Sequence, residues 1–439
     1  MKIAVVAENV SKSMSGESLL AYQFIRFMKR RGIEVDLVCH ERVRKELDEF
    51  WDAEDLGGVN YVTESGLQRL VWKLSQWLPF RVRDLIINQL LHLMTQIRAR
   101  RVVKQLVADK DIDLVFEPSP ITPRGISCMY DVGAPVVIGP MCGGLDFPPG
   151  FRFLDSKFSR AMVHVGRWGS DVLHRIFPGK LNADALIVAN CCTQKALPKG
   201  FKGKVHRVVE SGVDLSAWDE PVERHDPKSP TRFLFLGRFV DWKGVEYLVE
   251  AFVKVAQQTD AILELVGDGE SMDNVRETIA KHKLHDRVNL HGWIQRSELP
   301  DLMRRCDCLM MPSLRECGGT AMLEAMAVGL PLVGTKWAGP KNYIDPAIGL
   351  LVEPTSPAIF VEGLANAMIQ MAQFPEMRCQ MGNAAREHVR KHYFDWESKT
   401  QRIIEIFDET LASQNAVDRS TKPRVDRVEL PSMSISSPA

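Results

Sequence analysis

The sequence predicts an α/β protein built from two Rossmann-like β/α/β domains that face each other across a cleft. Three observations predict it. Short apolar, β-branched runs alternate with amphipathic helical stretches, the pattern of βαβ units and a parallel sheet. That alternation stops once, over the polar, proline-bearing residues 219–230, and then restarts. A length of 439 residues is too great for one ordinary domain and suits two.

The first domain is expected over residues 1–222. It opens with a strand at 2–7, a polar loop from Glu8 to Gly16 and a helical pattern from Glu17. Leu19, Leu20, Phe24, Ile25, Phe27 and Met28 mark that helix, which closes on Lys29-Arg30-Arg31-Gly32. Basic residues followed by glycine are a helix C-terminus signal. Buried strands follow at 33–38, 112–116, 135–139 and 185–189. The second domain, residues 223–393, repeats the pattern with strands at 233–237, 262–267, 288–292, 308–311 and 331–334. A last helical segment within 394–412 is expected to return to the first domain, and the polar residues 415–439 read as a disordered tail.

Composition narrows the function. Hydrophobic content of 45% and charged content of 26% fit a packed globular protein. Lys+Arg and Asp+Glu both count 56, so no whole-molecule field invites nucleic acid. The nine cysteines include no C-x-x-C pair and predict reduced, mostly buried thiols. The N-terminus lacks a signal-type apolar region, and no stretch reaches about 18 apolar residues. A cytoplasmic protein is expected.

Two segments at strand ends carry the candidate chemistry. In Gly237-Arg238-Phe239-Val240-Asp241-Trp242-Lys243-Gly244, two cations five residues apart follow a strand and precede a helix. Arg238 and Lys243 fit a pyrophosphate at the carboxyl edge of a parallel sheet, or else an ordinary solvated turn. In Arg315-Glu316-Cys317-Gly318-Gly319-Thr320, running on to Glu324, glycines let the backbone approach a ligand and a helix start offers free N–H groups. Glu316 and Glu324 suit sugar hydroxyls better than phosphate; the alternative is a helix cap and a surface residue. Gly267-Asp268-Gly269 and Gly292-Trp293 stand at neighbouring strand ends, as nucleoside pocket or plain turns. In the first half, Ser15-Gly16-Glu17 and Gly139-Pro140-Met141-Cys142-Gly143-Gly144 are loops for the acceptor side or structural turns. Asp111-Ile112-Asp113 opens a strand, the wrong end for a divalent ion.

Residues 66–106 carry Arg69, Lys73, Arg81, Arg83, Arg98, Arg100, Arg101 and Lys104, with Trp72, Trp77 and Phe80 between them and Asp84 as the one acid. That composition fits either an anionic bilayer surface or a packed helical insertion.

Strand-G-R-x4-K-G, V-G-D-G, H-G-W, E-C-G-G-T-x3-E-A-M-A-x-G-x-P and G-L-L-V-E-P, in this order from Phe233 to Pro354, closely resemble the retaining group-1 (family 4) glycosyltransferases of GT-B fold. Glu117-Pro118-Ser119-Pro120, the 138–144 loop and Glu210-Ser211-Gly212-Val213-Asp214 resemble a subgroup of them. The resemblance implies that Arg238 and Lys243 hold a donor diphosphate. It implies that Glu316, with the N–H groups of Cys317, Gly318, Gly319 and Thr320, binds the donor sugar. Glu324 is then expected on the ribose, with Gly267, Gly292 and Trp293 framing the nucleoside. Gly16, Gly143 and Gly144 are expected on the acceptor side. Two departures stand out: no histidine lies near 118–124, where many relatives place one, and the usual Gly-Gly reads Gly339-Pro340.

The implied activity is retaining, metal-independent transfer of a hexose from a UDP- or GDP-sugar to a glycan or lipid-linked acceptor, in polysaccharide or glycolipid synthesis. No cofactor is expected. The rivals are a sugar-nucleotide epimerase of the same fold and a non-catalytic donor-binding scaffold.

Overall fold

A computed structural model describes residues 1–13, 17–77, 87–155, 157–218 and 229–421. Gly16, most of the 219–230 linker, residues 78–86 of the basic segment and 422–439 of the tail lie outside the described residues.

Two sheets organise the chain. The first contains β1 (Lys2–Val6), β2 (Glu34–His40), β3 (Gly58–Val62), β4 (Leu114–Glu117), β5 (Val136–Met141), β6 (Ala185–Val188) and β7 (Lys204–Arg207), in the order β3-β2-β1-β4-β5-β6-β7. The second contains β8 (Arg232–Leu236), β9 (Ile262–Val266), β10 (Val288–Gly292), β11 (Cys308–Met311), β12 (Leu332–Thr335) and β13 (Gly349–Val352), in the order β10-β9-β8-β11-β12-β13. Every recorded strand pair is parallel. In both sheets the order reverses at the first strand, between β1 and β4 and between β8 and β11. Connections leave to opposite faces there, which opens a crevice at the carboxyl ends of the strands.

The central strands form where the sequence places them, because their apolar runs are buried on both faces. Helix Glu17–Arg30 carries Glu17 in its first turn and Lys29 and Arg30 in its last, and Gly32 turns the chain with φ +75°. Its Phe24 ring meets Trp396 edge-on at 5.1 Å and Phe116 at 5.7 Å.

Trp396 begins the long helix Trp396–Thr421, whose Ile403, Ile406 and Phe407 lie in the core of the first domain. This helix extends past the expected end at 412 and through the first seven residues of the expected tail. Side chains on the first-domain side of the expected limit also pack across it. Val213 and Trp218, inside the expected first domain, pack into the second-domain core with Leu309 and Met322. Phe147 and Phe151 do the same, Phe151 lying edge-on to Tyr247 at 5.3 Å and Phe360 at 5.6 Å. Local periodicity shows that a residue is apolar but not which of two cores receives it.

The basic segment is likewise divided. Helix Gly66–Ser75 exposes Leu67, Leu70, Trp72 and Leu74, and Trp77 just beyond it is 90% exposed. Arg69 and Lys73 share that exposure. Arg98 and Arg100, in the segment that reads as a membrane face or a packed insertion, bond within the fold. Arg98 donates to the Thr63 carbonyl, while Arg100 Nε donates to Tyr130 O at 2.8 Å and its guanidinium covers the Tyr130 ring.

Candidate functional site

Arg238 and Lys243 follow β8, and Glu316 follows β11, so all three stand at the switch point of the second sheet. The two loops touch. Leu314 N donates to Trp242 O at 2.8 Å, and Lys243 Nζ forms an ion pair with Glu316. Gly244 permits this approach: φ is +72°, and a Cβ there would stand 2.2 Å from Pro312 O. Arg238 is exposed.

The start of helix Thr320–Val328 is bare. Its N-cap is Gly319, at φ 42°, with no side-chain cap, so first-turn N–H groups are left for a ligand. Glu316 therefore does not cap the helix. The loop is braced from behind, Tyr343 Oη donating to Gly318 O at 2.9 Å and Gly339 N to Glu316 O at 2.8 Å. A Cβ at Gly339 would press to 2.7 Å on the Glu316 and Cys317 carbonyls, so the Gly339-Pro340 departure keeps the glycine that packing requires.

Glu324 is no surface residue; it is 3% exposed, and Arg296 Nη2 donates to its Oε1 at 2.5 Å. Arg296, in the loop after β10, was not legible as a site residue, since 28 positions separate it from Glu324. Burial pushes the Glu324 carboxyl up to about 7, and the Arg296 charge offsets this only in part. A carboxyl raised in the folded state favours folding at low pH. Its contribution is full below its ordinary value of 4.5 and is lost as pH rises through about 7. Melting temperatures of wild type and Glu324→Gln, compared from about pH 5 to about pH 8, should diverge in the variant's favour. A constant difference would contradict this placement of the charge.

The nucleoside-side glycines are explained by packing. A Cβ at Gly267 would fall 1.9 Å from Gly237 O, and one at Gly269 2.5 Å from Phe239 O. Gly267 N donates to Gly292 O and Gly237 N to Val266 O, so the three strand ends lie side by side. These glycines shape the loop that presents Arg238. Trp293, after Gly292, is exposed at the same sheet edge.

On the first-domain side, Gly143 and Gly144 have positive φ, and Thr193 Oγ1 donates to Gly143 O at 3.0 Å. Asp113 of the D-x-D accepts from Lys2 N at 2.7 Å, at the beginning of β1 and opposite the cleft. A histidine does reach this domain's cavity, from another element. His92 of helix Asn88–Lys110 lines about 330 Å³ with Glu8, Glu17 and Ser119. Its Nδ1 meets Glu8 Oε2 at 2.5 Å and its Nε2 meets Ile126 O at 3.3 Å. Burial opposes its charge, but the Glu8 bond and charge, the Ile126 carbonyl and the Glu117 carboxylate together outweigh burial and raise its pKa. No local motif marks His92, because its partner lies 84 residues away.

The expectation of reduced thiols throughout is overturned at one pair. Cys142, after β5, forms a disulfide with Cys317 in the loop after β11, 175 residues away. Spacing cannot reveal a pair formed only when two domains face each other. Glu210 lies against the same loop, and a Cβ on Gly318 would stand 2.1 Å from its Oε1.

Comparison with known proteins fits this geometry. Residues 217–388 match the family described as glycosyl transferases group 1. The glycogen synthase of Mycobacterium tuberculosis is 27% identical over 225 residues, 51% of this chain and 52% of the relative. The N-acetyl-alpha-D-glucosaminyl L-malate synthase of Bacillus anthracis is 30% identical over 176 residues, 40% of this chain and 43% of the relative. The chain thus spans about half the length of the curated relatives it matches. Among solved structures, Anabaena HepE in complex with UDP superposes with a TM-score of 0.61 at 18% identity, covering 93% of this chain and 100% of the other.

Proposed function

Since this chain belongs to the group 1 glycosyl transferases and has the two facing parallel sheets of a GT-B-like fold, we propose that it transfers a sugar from a nucleoside-diphosphate donor to an anionic acceptor, with retention at the anomeric carbon. One observation carries the reading. The Lys243–Glu316 pair stands at the switch point beside an uncapped, glycine-led helix start. That arrangement offers cations for a diphosphate and a carboxylate for sugar hydroxyls within one loop contact. In this reading Lys243 exchanges Glu316 for phosphate when the donor binds, and Arg238 closes on the same diphosphate. Glu316 is then free to accept from the sugar. The residues hold and neutralise the departing diphosphate, whose oxygen takes the acceptor proton on the same face. The UDP held by the Anabaena protein of similar fold supports a nucleoside diphosphate as the ligand.

The acceptor side supports a negatively charged partner. A cavity of about 560 Å³ is lined by Lys12, Arg26, Lys29, Arg30 and, from the second domain, Arg296. Lys12 pairs with Glu54, Arg26 with Asp214, Lys29 with Asp55 and Arg296 with Glu324, so an acceptor phosphate exchanges with those carboxylates on binding. A lipid-linked phosphate fits that wall. The exposed apolar face of helix Gly66–Ser75 fits an anionic leaflet presenting such an acceptor. No helix among the described residues is long and apolar enough to cross a membrane.

Thermal shift with a panel of UDP-, GDP- and ADP-sugars tests the donor. One class should raise stability by about 2.7 kcal/mol at a hundredfold excess over its Kd. No shift with any of them would sink the reading. Sedimentation with anionic vesicles tests the surface. Binding should weaken as salt rises, since each cation near the leaflet contributes about 1 kcal/mol and salt screens it. It should weaken again in Arg69→Glu/Lys73→Glu and in Trp77→Ala. A chain that ignores vesicles at low salt has a soluble acceptor.

A further inference from the structure

The thiol pair across the cleft takes no part in the transfer described above. Cys142 belongs to the first domain and Cys317 to the donor loop of the second, and Glu210 reaches the same point from the crossover between them. The two sulfurs and a Glu210 carboxylate oxygen lie within 4.8 Å of one another. Glu210 is 3% exposed, and its Oε2 has no hydrogen-bond partner. A buried carboxylate oxygen without a donor is costly, and it points to a ligand other than protein. The absence of a side chain at Gly318 lets the Glu210 carboxylate and the Ser211 hydroxyl approach this loop.

A second group is aimed at the sulfur. Asn190 Nδ2 lies 3.7 Å from Cys317 Sγ. Its orientation is set because Asn190 Oδ1 accepts from Thr193 N at 2.9 Å. An N–H donated to sulfur stabilises the thiolate, the form that binds metal.

The geometry points to a cross-cleft site for a zinc-class divalent ion, ligated by Cys142, Cys317 and Glu210 when the disulfide is reduced. Two soft thiolates with one carboxylate suit Zn²⁺ and disfavour Mg²⁺ or Ca²⁺, which prefer all-oxygen shells. A dithiol opens the bridge, supplying two electrons and two protons and leaving as its own disulfide. The ion then displaces the two thiol protons. Three protein ligands leave a fourth position for water or a substrate oxygen. The ion joins the same two loops as the disulfide, so the domains are held by a metal in the reduced chain and by a covalent bond in the oxidised one. Cys317 directly follows Glu316, the partner of Lys243, so the ion and the donor share one loop, but the test reads metal binding and does not depend on transferase activity.

The full chain, reduced with a phosphine and desalted without oxygen, is titrated with Co²⁺ and then Zn²⁺. One equivalent of Co²⁺ should give a thiolate-to-cobalt charge-transfer band that Zn²⁺ abolishes. Cys142→Ser and Cys317→Ser should each lose the band. Glu210→Gln, close in shape and checked for folding by its melting transition, should keep the band and weaken Zn²⁺ binding about tenfold or more, and Asn190→Ala should weaken it by about tenfold. Changing the adjacent free thiols Cys191 and Cys192 to serine should leave stoichiometry and affinity unchanged. Three results would overturn the proposal. They are no band in the reduced wild type, a band that follows Cys191 and Cys192 instead, or a bridge the phosphine cannot open in the folded chain.

Discussion

Replacing both Arg238 and Lys243 with alanine is expected to weaken binding of the matching free nucleoside diphosphate by about a hundredfold or more. Each charged hydrogen bond contributes about 1.5–3 kcal/mol, and two cations facing one anion are not expected to add in full. The single changes should differ. Arg238 is exposed and releases nothing when removed, whereas Lys243→Ala leaves Glu316 without its partner beside the incoming phosphates. Repulsion from that carboxylate makes Lys243→Ala the more damaging. Isothermal titration of both single variants and the double checks this. Unchanged affinity in the two singles would remove these residues from the site.

Glu316→Gln should separate the two halves of the donor. The amide keeps the shape of the side chain but gives up the charge that holds Lys243. Nucleotide affinity should therefore hold or rise slightly. Transfer should fall roughly 10- to 150-fold, as expected when a charged hydrogen bond of about 1.5–3 kcal/mol to a sugar hydroxyl is lost. The check is kcat/KM with the full donor beside titration with free nucleotide. Equal losses in both would mean that Glu316 acts only by positioning Lys243. Full turnover would make the carboxylate structural.

Legibility in the sequence followed burial in the first sheet, whereas in the second the edge strand β10 was readable although it is largely exposed. β1, β4 and β8 were readable because strands covered on both faces need unbroken apolar runs. The edge strands β3 and β7 were not. Gly58–Val62 and Lys204–Arg207 are largely half-exposed or exposed, so neither alternation nor an apolar run marks them. The donor loops were legible for a related reason. A glycine at φ +72° before one helix and another at φ 42° before the next are local demands of the backbone, and local demands leave residues at fixed spacing.

By itself the sequence determined the two α/β domains, the strand-end loops and the residues that stand in them, because each is set by chain neighbours within a few positions. Only the tertiary structure decided which distant groups meet. Arg296 found Glu324, His92 found Glu8, Phe151 found the core of the other domain, and Cys142 found Cys317. In the separate segments these side chains lie in water and have no defined partner. Packing within and between the two domains brings them together where burial removes that water, and a charge or thiol placed there is held by whatever group the facing segment presents.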